Sequence, residues 1–419
     1  MIDVLASTVQ LCVRGQGGHN AGHTIIADGV TYDFHLCPSG LLNPSCINLV
    51  GSGCVVHVPS FFNELAKLKQ KGLKTDDRIF LSDRAHVDFD LHQAVDGLEE
   101  IELGANSLGT TKKGIGPTFS SKATRNGVML ADIFDHEYLA TKLRALYSGY
   151  KKRFGELLQY DVEEEIARFK GYAESLQSYV VDEVPLLRSA KKQNAKILAE
   201  GAQAIMLDNT FGTYPFVTSS NCSVGGILSG LSLDWRSIKE VIGVVKAYTT
   251  RVGAGPFPTE QHNEIGAKLQ QVGKEIGVTT GRQRRCGWLD LVLVKYSHEV
   301  NGYTAINLTK LDILDDFDEI QVAVGYSHNG QALESFPANG RILAEVQIQY
   351  KTFPGWKKST YGAKSYYDLP SKAREYVDFI EGFVGVPVRP RMPFSYFRLA
   401  TELIQDRSNI LAQAQAVST

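Results

Sequence analysis

The feature that most limits the fold is an alternation of two apolar patterns along the chain. Short apolar runs bounded by turn residues alternate with longer stretches in which apolar residues recur every three or four positions. The first pattern is typical of buried strands and the second of amphipathic helices, and their alternation favours parallel strands joined by helices. The sequence therefore predicts an α/β fold with a large, mostly parallel central sheet flanked by helices.

Individual elements can be predicted from these patterns. We expect helices at Ser60–Lys71 and Ser371–Val384, and a helical stripe from Ile166 to Val180. Five short runs are expected to be buried strands: Lys196–Ala199, Val241–Val245, Thr304–Leu308, Ile320–Val324 and Val346–Tyr350. Because the sequence shows no internal repeat and no low-complexity linker, it favours one domain with helical and loop insertions.

Composition excludes several classes of function. The chain has 419 residues and a formal net charge of -2, whereas a general nucleic-acid binder would show a clear basic excess. It has no apolar run of about 18 residues that could span a membrane. Its six cysteines form no CxxC pair, and Cys54 and His57, which have a metal-like spacing, have no second pair. We therefore expect reduced thiols and a cytoplasmic protein.

Two short segments, Glu200–Gln203 (EGAQ) and Thr309–Asp312 (TKLD), each follow one of the expected strands, and glycine-rich or polar segments occur elsewhere in the chain. Ligands of open α/β sheets bind beyond the carboxyl ends of the strands, so these segments are candidates for the site. Gly15–Thr24 (GQGGHNAGHT) combines glycines, whose backbone can approach a phosphate or a base, with imidazoles that can donate a proton. The alternative is a tight turn with incidental histidines.

Four further segments have the same ambiguity. Gly109–Pro117 (GTTKKGIGP) is either a phosphate-binding loop or a solvated one, and Gly212–Asn221 (GTYPFVTSSN) either binds a ligand or caps a helix. Val278–Arg285 (VTTGRQRR) presents either an anion site or a solvated charged face. Thr309–Asp312 (TKLD) resembles the NKxD element of GTP-binding proteins, in which the carboxylate accepts hydrogen bonds from guanine and the lysine stem lies along the ring.

Taken in order, these segments resemble the adenylosuccinate synthetase family, and their wording is most similar to that of fungal members. The resemblance runs from about Ile2 to Val388 and rests on GGHNAGHT, GTTKKGIGP, EGAQAIMLD, GTYPFVTSSN, VKAYTTRVGAGPFPTE, VTTGRQRRCGWLD and TKLDILD. It implies a P-loop NTPase-like single domain over residues 1–388. Residues 389–419 would then be an atypical extension, either helical or disordered.

The resemblance also implies a reaction. Members of the family join IMP and L-aspartate with GTP and Mg²⁺ and yield adenylosuccinate, GDP and phosphate, on the route from IMP to AMP. The γ-phosphoryl group of GTP goes first to O6 of IMP, and the aspartate amine then displaces it as phosphate. Phosphorylation is needed because the oxygen at C6 is otherwise a poor leaving group, and the charge on the transferred group requires fixed donors.

Matching position by position gives the expected site residues. His23 is the expected catalytic acid at O6, and the carbonyl of Gly22 the expected Mg²⁺ ligand. The IMP set is Asn20, Ala21, Gly22, His23, Thr111, Arg125, Gln203, Thr218 and Arg282, with Arg125 reaching across a homodimer. The aspartate set is Val252, Val278, Thr279, Thr280, Arg282 and Arg284. The GTP set is Gly22, His23, Thr24, Arg284, Lys310 and Asp312, the last two reading guanine.

Departures from the family pattern lead to one more expectation. The family has a GDEGKGK segment before the residues that match Ile2–Leu5, which supplies a phosphate-binding lysine and an aspartate base. After Val388 the chain reads RPRMPFSYFRLATEL in place of a GTGP-type segment, and Lys112 and Gln283 replace a usual glycine and a usual basic residue. We therefore expect little or no turnover. The alternatives are a non-catalytic isoform that binds IMP and dimerises, and a chain that cannot fold stably.

Overall fold

The structure, a computed structural model, describes residues 5–277 and 281–389. The described residues group into two compact units. The first comprises residues 5–204 with Thr218–Trp235, and the second comprises Ile205–Val217 with residues 236–389. The expected aspartate-binding residues Val278, Thr279 and Thr280 lie outside the described residues. So does the expected extension 389–419, apart from the backbone of Arg389.

The first unit is built on a sheet of five parallel strands, which are β1 (Leu11–Arg14), β4 (Ile47–Val50), β6 (Ile79–Ser82), β8 (Val180–Val181) and β9 (Ile197–Glu200). Their order across the sheet is β8-β6-β4-β1-β9. Every residue of β1, β4 and β6 is buried, as expected for parallel strands that are covered on both faces. Two small sheets accompany it: the hairpin β2 (His23–Ala27) and β3 (Val30–Phe34), and the parallel pair β5 (Val55–Val56) and β7 (His86–Val87).

Seven helices of the first unit surround these strands among the described residues. They are α1 (Val58–Gln70), α2 (Asp90–Leu103), α3 (Ile115–Ala123), α4 (His136–Phe154), α5 (Val162–Leu176), α6 (Glu183–Lys192) and α7 (Val224–Ser229). The ring of His57 caps α1 by accepting from the backbone N–H of Ser60 and also contacts Asp90 at 2.8 Å. Its neighbourhood is therefore that of a helix cap.

In the part of the second unit that the structure describes there are three sheets. Strands β10 (Ile242–Lys246), β14 (Ala305–Thr309) and β18 (Val388–Arg389) are parallel, and β11 (Thr249–Arg251) pairs antiparallel with β12 (Arg285–Gly287). The third sheet contains β13 (Leu289–Asp290), β15 (Glu319–His328), β16 (Gln331–Leu333) and β17 (Gln347–Pro354). The described helices of the second unit are α8 (Glu264–Val272), α9 (Leu291–Asn301), α10 (Gly340–Glu345) and α11 (Ser371–Val384).

The predicted α/β fold with a mostly parallel central sheet is confirmed, and all five predicted strands are present as β9, β10, β14, β15 and β17. Some details were wrong. Val180 belongs to strand β8, because the helix α5 that precedes it ends at Leu176. Strand β17 is largely exposed rather than buried, because it pairs antiparallel with β15 and leaves most of its side chains to solvent. Strands β9 and β10 are also mostly half-buried or exposed, because each lies at the edge of its sheet.

The six cysteines are free thiols. Within the described ranges, the helices are too short or too polar to cross a membrane.

Candidate active site

The glycine-rich loop Gly15–Thr24 and the EGAQ segment meet at one edge of the first unit's sheet. Strands β1 and β9 are parallel neighbours, with Arg14 opposite Glu200, so both loops begin at the carboxyl ends of their strands. The side chain of Gln203 donates to Oδ1 of Asn20 at 3.4 Å. Two residues expected at IMP are therefore side by side, although 183 positions separate them in the sequence.

A buried arginine determines the shape of the glycine-rich loop. The guanidinium of Arg14 donates to the carbonyls of Gln16 (3.3 Å) and Gly18 (2.7 Å) within the loop, and to those of His35 and Leu36. Arginine suits this position because its planar fork presents five donors in fixed directions. Hydrogen bonds from the Arg14 side chain therefore fix the backbone of the glycine-rich loop, which is not a free turn.

His23 begins the hairpin strand β2 and is anchored through a serine. Its Nε2 lies 2.8 Å from Oγ of Ser39, which in turn donates to Oε1 of Glu200 at 2.9 Å. Because the hydroxyl has only one proton to give, Nε2 carries the hydrogen, and Nδ1 is the nitrogen that can exchange a proton with a ligand. Burial lowers the pKa of His23, while the nearby carboxylate of Glu200 opposes that shift.

The neighbours of His23 in the loop are fixed by short polar contacts. Nδ1 of His35 lies 3.3 Å from the carbonyl of Ala21, and the hydroxyl of Thr24 donates to Asp33 at 2.8 Å. Between these two contacts lies Gly22, the expected metal ligand. The backbone from Ala21 to Thr24 is therefore held on both sides.

The loop GTTKKG is held from below by two carboxylates of α2. Glu100 accepts from the backbone N–H groups of Leu108, Gly109 and Thr110, and Asp96 accepts from the hydroxyl of Thr110 and from the N–H of Gly114. This leaves Thr111 at the half-buried top of the loop. Lys112 has φ of +52°, a left-handed backbone conformation that glycine adopts more readily than lysine.

The last two IMP candidates of this unit lie at the two ends of α3. At its first turn, a Cβ added to Gly116 would lie 3.3 Å from Oγ of Ser219, so the segment that contains Thr218 passes beside the start of the helix. Arg125 follows the end of the helix with an exposed side chain. Thr218 is thus close to the GTTKKG loop, whereas Arg125 lies on the surface.

In the second unit, two of the aspartate candidates adjoin the pairing of strands β11 and β12. Arg251 pairs with Arg285 at the end of this ladder, so Val252 follows that pair and Arg284 precedes it. The backbone carbonyl of Arg282 accepts from the N–H of Gly277, and Ile276 bridges to Gln283. Arg282 is half-buried near the base of this turn.

The two basic GTP candidates of this unit converge on a carboxylate that sequence reasoning missed. Glu275 is fully buried, and it accepts from Arg284 at 2.8 Å, from Lys310 at 3.0 Å and from Lys246 at 2.7 Å. Its fourth partner is the hydroxyl of the buried Tyr248. Burial would raise the pKa of Glu275, but the hydrogen bonds from Lys246 and Tyr248 and the surrounding positive charges outweigh it and lower the pKa to about 2.

The TKLD segment begins at the carboxyl end of β14, as predicted. Lys310 adopts a left-handed conformation, with φ of +58°, and its ammonium group also donates to the carbonyl of Gly273. Asp312 follows in the short 3₁₀ helix Leu311–Leu314 and is half-buried. Hydrogen bonds therefore fix the ammonium group of Lys310, and its aliphatic chain connects that group to the end of β14.

Three residues that organise the site carry only weak sequence signals. Arg14 stands out only as a charge that ends the apolar run LCV, and Ser39 and Glu275 belong to no motif that marks them. For Ser39 the partner is Glu200, 161 positions away. Only the charge at the end of a buried strand could have identified one of them.

Comparisons of sequence point to one family. The chain matches the family model described as adenylosuccinate synthetase over residues 1–391. It is 66% identical over 389 residues to adenylosuccinate synthetase from Pyrenophora tritici-repentis, covering 93% of this chain and 92% of that protein. It is 59% identical over 392 residues to the enzyme of the same name from Sordaria macrospora, covering 93% of this chain and 91% of that protein.

Comparison of structures agrees. A solved structure of fully ligated adenylosuccinate synthetase from Plasmodium falciparum superposes with a TM-score of 0.88 at 38% identity, covering 92% of each chain. A cyanophage S-2L succinoaminodeoxyadenylate synthetase, at 18% identity and a TM-score of 0.51, shares the fold. With the matched motifs placed at the strand ends, these likenesses show that the chain belongs to the adenylosuccinate synthetase family, the GTP-dependent ligases that join IMP and aspartate.

Proposed function

We propose that this chain itself catalyses the GTP-dependent ligation of IMP and L-aspartate to adenylosuccinate through a 6-phosphoryl intermediate, against the little or no turnover that its departures from the family pattern predict. The observation that carries the proposal is the arrangement at the sheet edge of the first unit. There the EGAQ segment supplies both Glu200, which anchors His23 through Ser39, and Gln203, which contacts Asn20. The imidazole of His23 and the amide side chains of Asn20 and Gln203, which can hydrogen-bond to the edge of a purine, therefore lie at the same edge of the sheet.

In the first unit we assign IMP to Asn20, Gln203, Thr111 and Thr218. Amide and hydroxyl groups can donate to and accept from the base and the phosphate, and backbone N–H groups of the loop can approach the phosphate closely. His23 would contact O6, with Nδ1 as its working nitrogen. As negative charge develops on O6 and on the transferred phosphoryl group, a proton held at Nδ1 would stabilise it.

We further propose that Mg²⁺ accompanies GTP and that the Gly22 carbonyl is one of its ligands. Among the described residues, no group of three or more His, Cys, Asp and Glu side chains could hold a metal ion. A backbone carbonyl is a suitable oxygen donor, and Mg²⁺ commonly takes most of its other ligands from nucleotide phosphates and water. The donor set therefore fits a metal carried by the nucleotide, which would neutralise phosphate charge. Thr24, which is also among the expected GTP contacts, lies two residues after Gly22.

In the second unit we assign the guanine base to Lys310 and Asp312, and GTP also to Arg284. The carboxylate of Asp312 can accept from two base N–H groups, and the stem of Lys310 can lie along the ring. For aspartate we propose Arg282 and Arg284, because a guanidinium binds a carboxylate bidentately, with Val252 beside them. The left-handed backbone of Lys310 and its tethered head support this role.

The direct test is formation of adenylosuccinate by the purified full chain. With IMP, L-aspartate, GTP and Mg²⁺ present, we expect adenylosuccinate and GDP to appear in equal amounts by chromatography. Omission of any one of the four should abolish the product, and His23→Asn should lower kcat by roughly 100-fold or more. Binding of IMP by calorimetry without any product would overturn the catalytic proposal and favour an IMP-binding isoform.

We also propose a homodimer in the cytoplasm, in which Arg125 reaches the IMP phosphate of the neighbouring subunit. The exposed position of Arg125 after α3 supports this, since a side chain that serves another subunit must lie on the surface. Sedimentation should give twice the mass of the chain. The variant Arg125→Ala should bind IMP more weakly while remaining folded, and a monomer with full IMP affinity would contradict the assignment.

A further inference from the structure

Three cations of the second unit share a single buried carboxylate. Glu275 is fully buried and accepts from Lys246, Arg284 and Lys310 at 2.7–3.0 Å. One negative charge against three positive charges leaves an excess of two positive charges, and the three cationic side chains are each 25–34% exposed. The cluster therefore presents its unbalanced positive charge towards solvent, where an anionic ligand could meet it.

The carboxylate fixes the head of Lys310. Its ammonium group donates to Oε1 of Glu275 and to the carbonyl of Gly273, so two acceptors define its position. A free lysine side chain would populate many rotamers, and ordering it on binding would reduce affinity. With the head tied, the aliphatic stem between Glu275 and the end of β14 is a preformed apolar surface.

Glu275 fixes Arg284 at two points, through its carboxylate and through its backbone carbonyl. The guanidinium donates to Oε2 at 2.8 Å, and the backbone N–H of Arg284 donates to the backbone carbonyl of Glu275 at 2.9 Å. Both the backbone and the side chain of Arg284 are therefore hydrogen-bonded to Glu275. Lys246, the last residue of strand β10, donates to the same oxygen, Oε2 of Glu275.

We propose that Glu275 is the positioning residue of the guanine-nucleotide site, whose buried carboxylate holds Lys310 and Arg284 in the arrangement that the nucleotide meets. This rests on the proposed assignment of guanine to Lys310 and Asp312. Glu275 itself is fully buried, so it acts through the cations. Its low pKa agrees with a carboxylate that stays ionised throughout.

The proposed roles of Glu275 and Asp312 differ in whether they distinguish guanine from hypoxanthine. Asp312 would accept from the exocyclic amine of guanine, which hypoxanthine lacks, so its effect depends on the base. The stem of Lys310 would lie along either ring, and Arg284 would contact the phosphates of either nucleotide. Loss of Glu275 should therefore weaken GDP and IDP by the same factor, whereas loss of Asp312 should weaken GDP more than IDP, because IDP can use only its N1–H on that carboxylate.

The experiment measures the Kd of GDP, IDP and IMP for the full chain by calorimetry. For Glu275→Gln, which keeps the shape and removes the charge, we expect GDP and IDP to bind roughly tenfold more weakly, with the ratio of the two unchanged. The affinity for IMP should not change. A matched control is Asp290→Asn, since Asp290 is a buried acid of the same unit whose carboxylate accepts from Tyr326, and all three affinities should persist there.

The outcomes separate the two proposals. If Asp312→Asn lowers GDP affinity but Glu275→Gln does not, the positioning role is wrong. If Asp312→Asn leaves the GDP to IDP ratio unchanged, or if the wild-type chain does not bind GDP, the guanine assignment fails and the inference fails with it. Should Glu275→Gln not fold, Glu275→Asp keeps the charge but shortens the side chain, and unchanged GDP affinity in that variant would also overturn the proposal.

Discussion

At the scale of single residues, Arg14 has the largest structural role for the least sequence signal. Its guanidinium lies at the end of a fully buried strand and satisfies four backbone carbonyls, two in the glycine-rich loop and two beside it. Buried carbonyls that lose their donors destabilise a fold by about 1–3 kcal/mol each. The loop therefore depends on the length and planarity of this one side chain.

We expect Arg14→Lys to destabilise the protein by roughly 2–3 kcal/mol, because an ammonium group cannot reach four carbonyls in fixed directions. Urea unfolding would measure it, and IMP affinity should fall in the same variant. Arg144→Lys is the control, since Arg144 forms only an exposed pair with Glu163 and should change neither quantity. An Arg14→Lys variant as stable as the wild type would show that the loop holds its own shape.

Glu275 gives a prediction about pH. Its pKa is about 2 in the folded chain against an ordinary value of 4.5, so its charge stabilises the folded state by about 3 kcal/mol above pH 5. Because the folded pKa is the lower one, this stabilisation is complete above the unfolded pKa and disappears as the pH falls towards 2. The stability difference between wild type and Glu275→Gln should therefore shrink between about pH 5 and pH 2. A difference that stays constant in urea unfolding would contradict the shift.

At residue scale the sequence marks candidate site residues but not their supports. Glycines and matched motifs single out His23, Asn20 and Gln203 as candidates, and the last two do come together. Arg14, Ser39 and Glu275 could not be predicted, because each acts through partners that only the folded chain brings near. A charge at the end of an apolar run is the one local signal among them.

At the scale of elements, the turn between α2 and α3 depends on a glycine that has no substitute. Gly114 has φ of +71°, and a Cβ there would lie 2.4 Å from Oδ1 of Asp88 and 2.9 Å from the backbone nitrogen of Gln93. Both the backbone conformation and the lack of space exclude a side chain. The position of the GTTKKG loop is thereby tied to α2.

We expect Gly114→Ala to destabilise the protein by roughly 2–4 kcal/mol and to weaken IMP binding, since Thr111 would shift with the loop. Gly97→Ala is the matched control within α2. A Cβ at Gly97 meets no atom within 4 Å, so alanine should stabilise the helix by about 0.5–1 kcal/mol. Thermal unfolding and calorimetry measure both effects, and a neutral Gly114→Ala would refute the steric argument.

Prediction of elements succeeded where periodicity and burial agree. Helix α11 was predicted with the bounds that it has, and β14 within a residue. The errors arose where an apolar pattern continued across a boundary, as at Val180, or where an antiparallel strand was half exposed, as in β17. Apolar spacing reports which side chains could face a core, whereas pairing decides which of them do.

At the scale of the whole molecule, each compact unit carries its own share of the proposed ligand contacts. The first holds the IMP candidates around Gly15–Thr24, and the second holds the guanine candidates around Glu275 and Thr309–Asp312. Hydrogen exchange can therefore assign the ligands separately, because binding slows the opening of the backbone it contacts.

We expect IMP to protect the amides of Gly15–Thr24 and residues 201–203, and GDP to protect residues 273–275 and 309–312. Peptides from α4 should exchange at the same rate with either ligand, since α4 carries none of the proposed contacts. Exchange measured by mass spectrometry on the full chain is sufficient. If GDP protected no peptide of the second unit, the guanine assignment would be wrong.

The anchoring of His23 also has a consequence for synthesis of the chain. The carbonyls that accept from the Arg14 side chain lie within 22 positions of it, so these hydrogen bonds join one short stretch of chain. Ser39 donates to Glu200, which is 161 positions later. At ordinary rates of translation that delay is on the order of ten seconds. For that interval the nascent chain lacks the carboxylate that anchors His23 through Ser39.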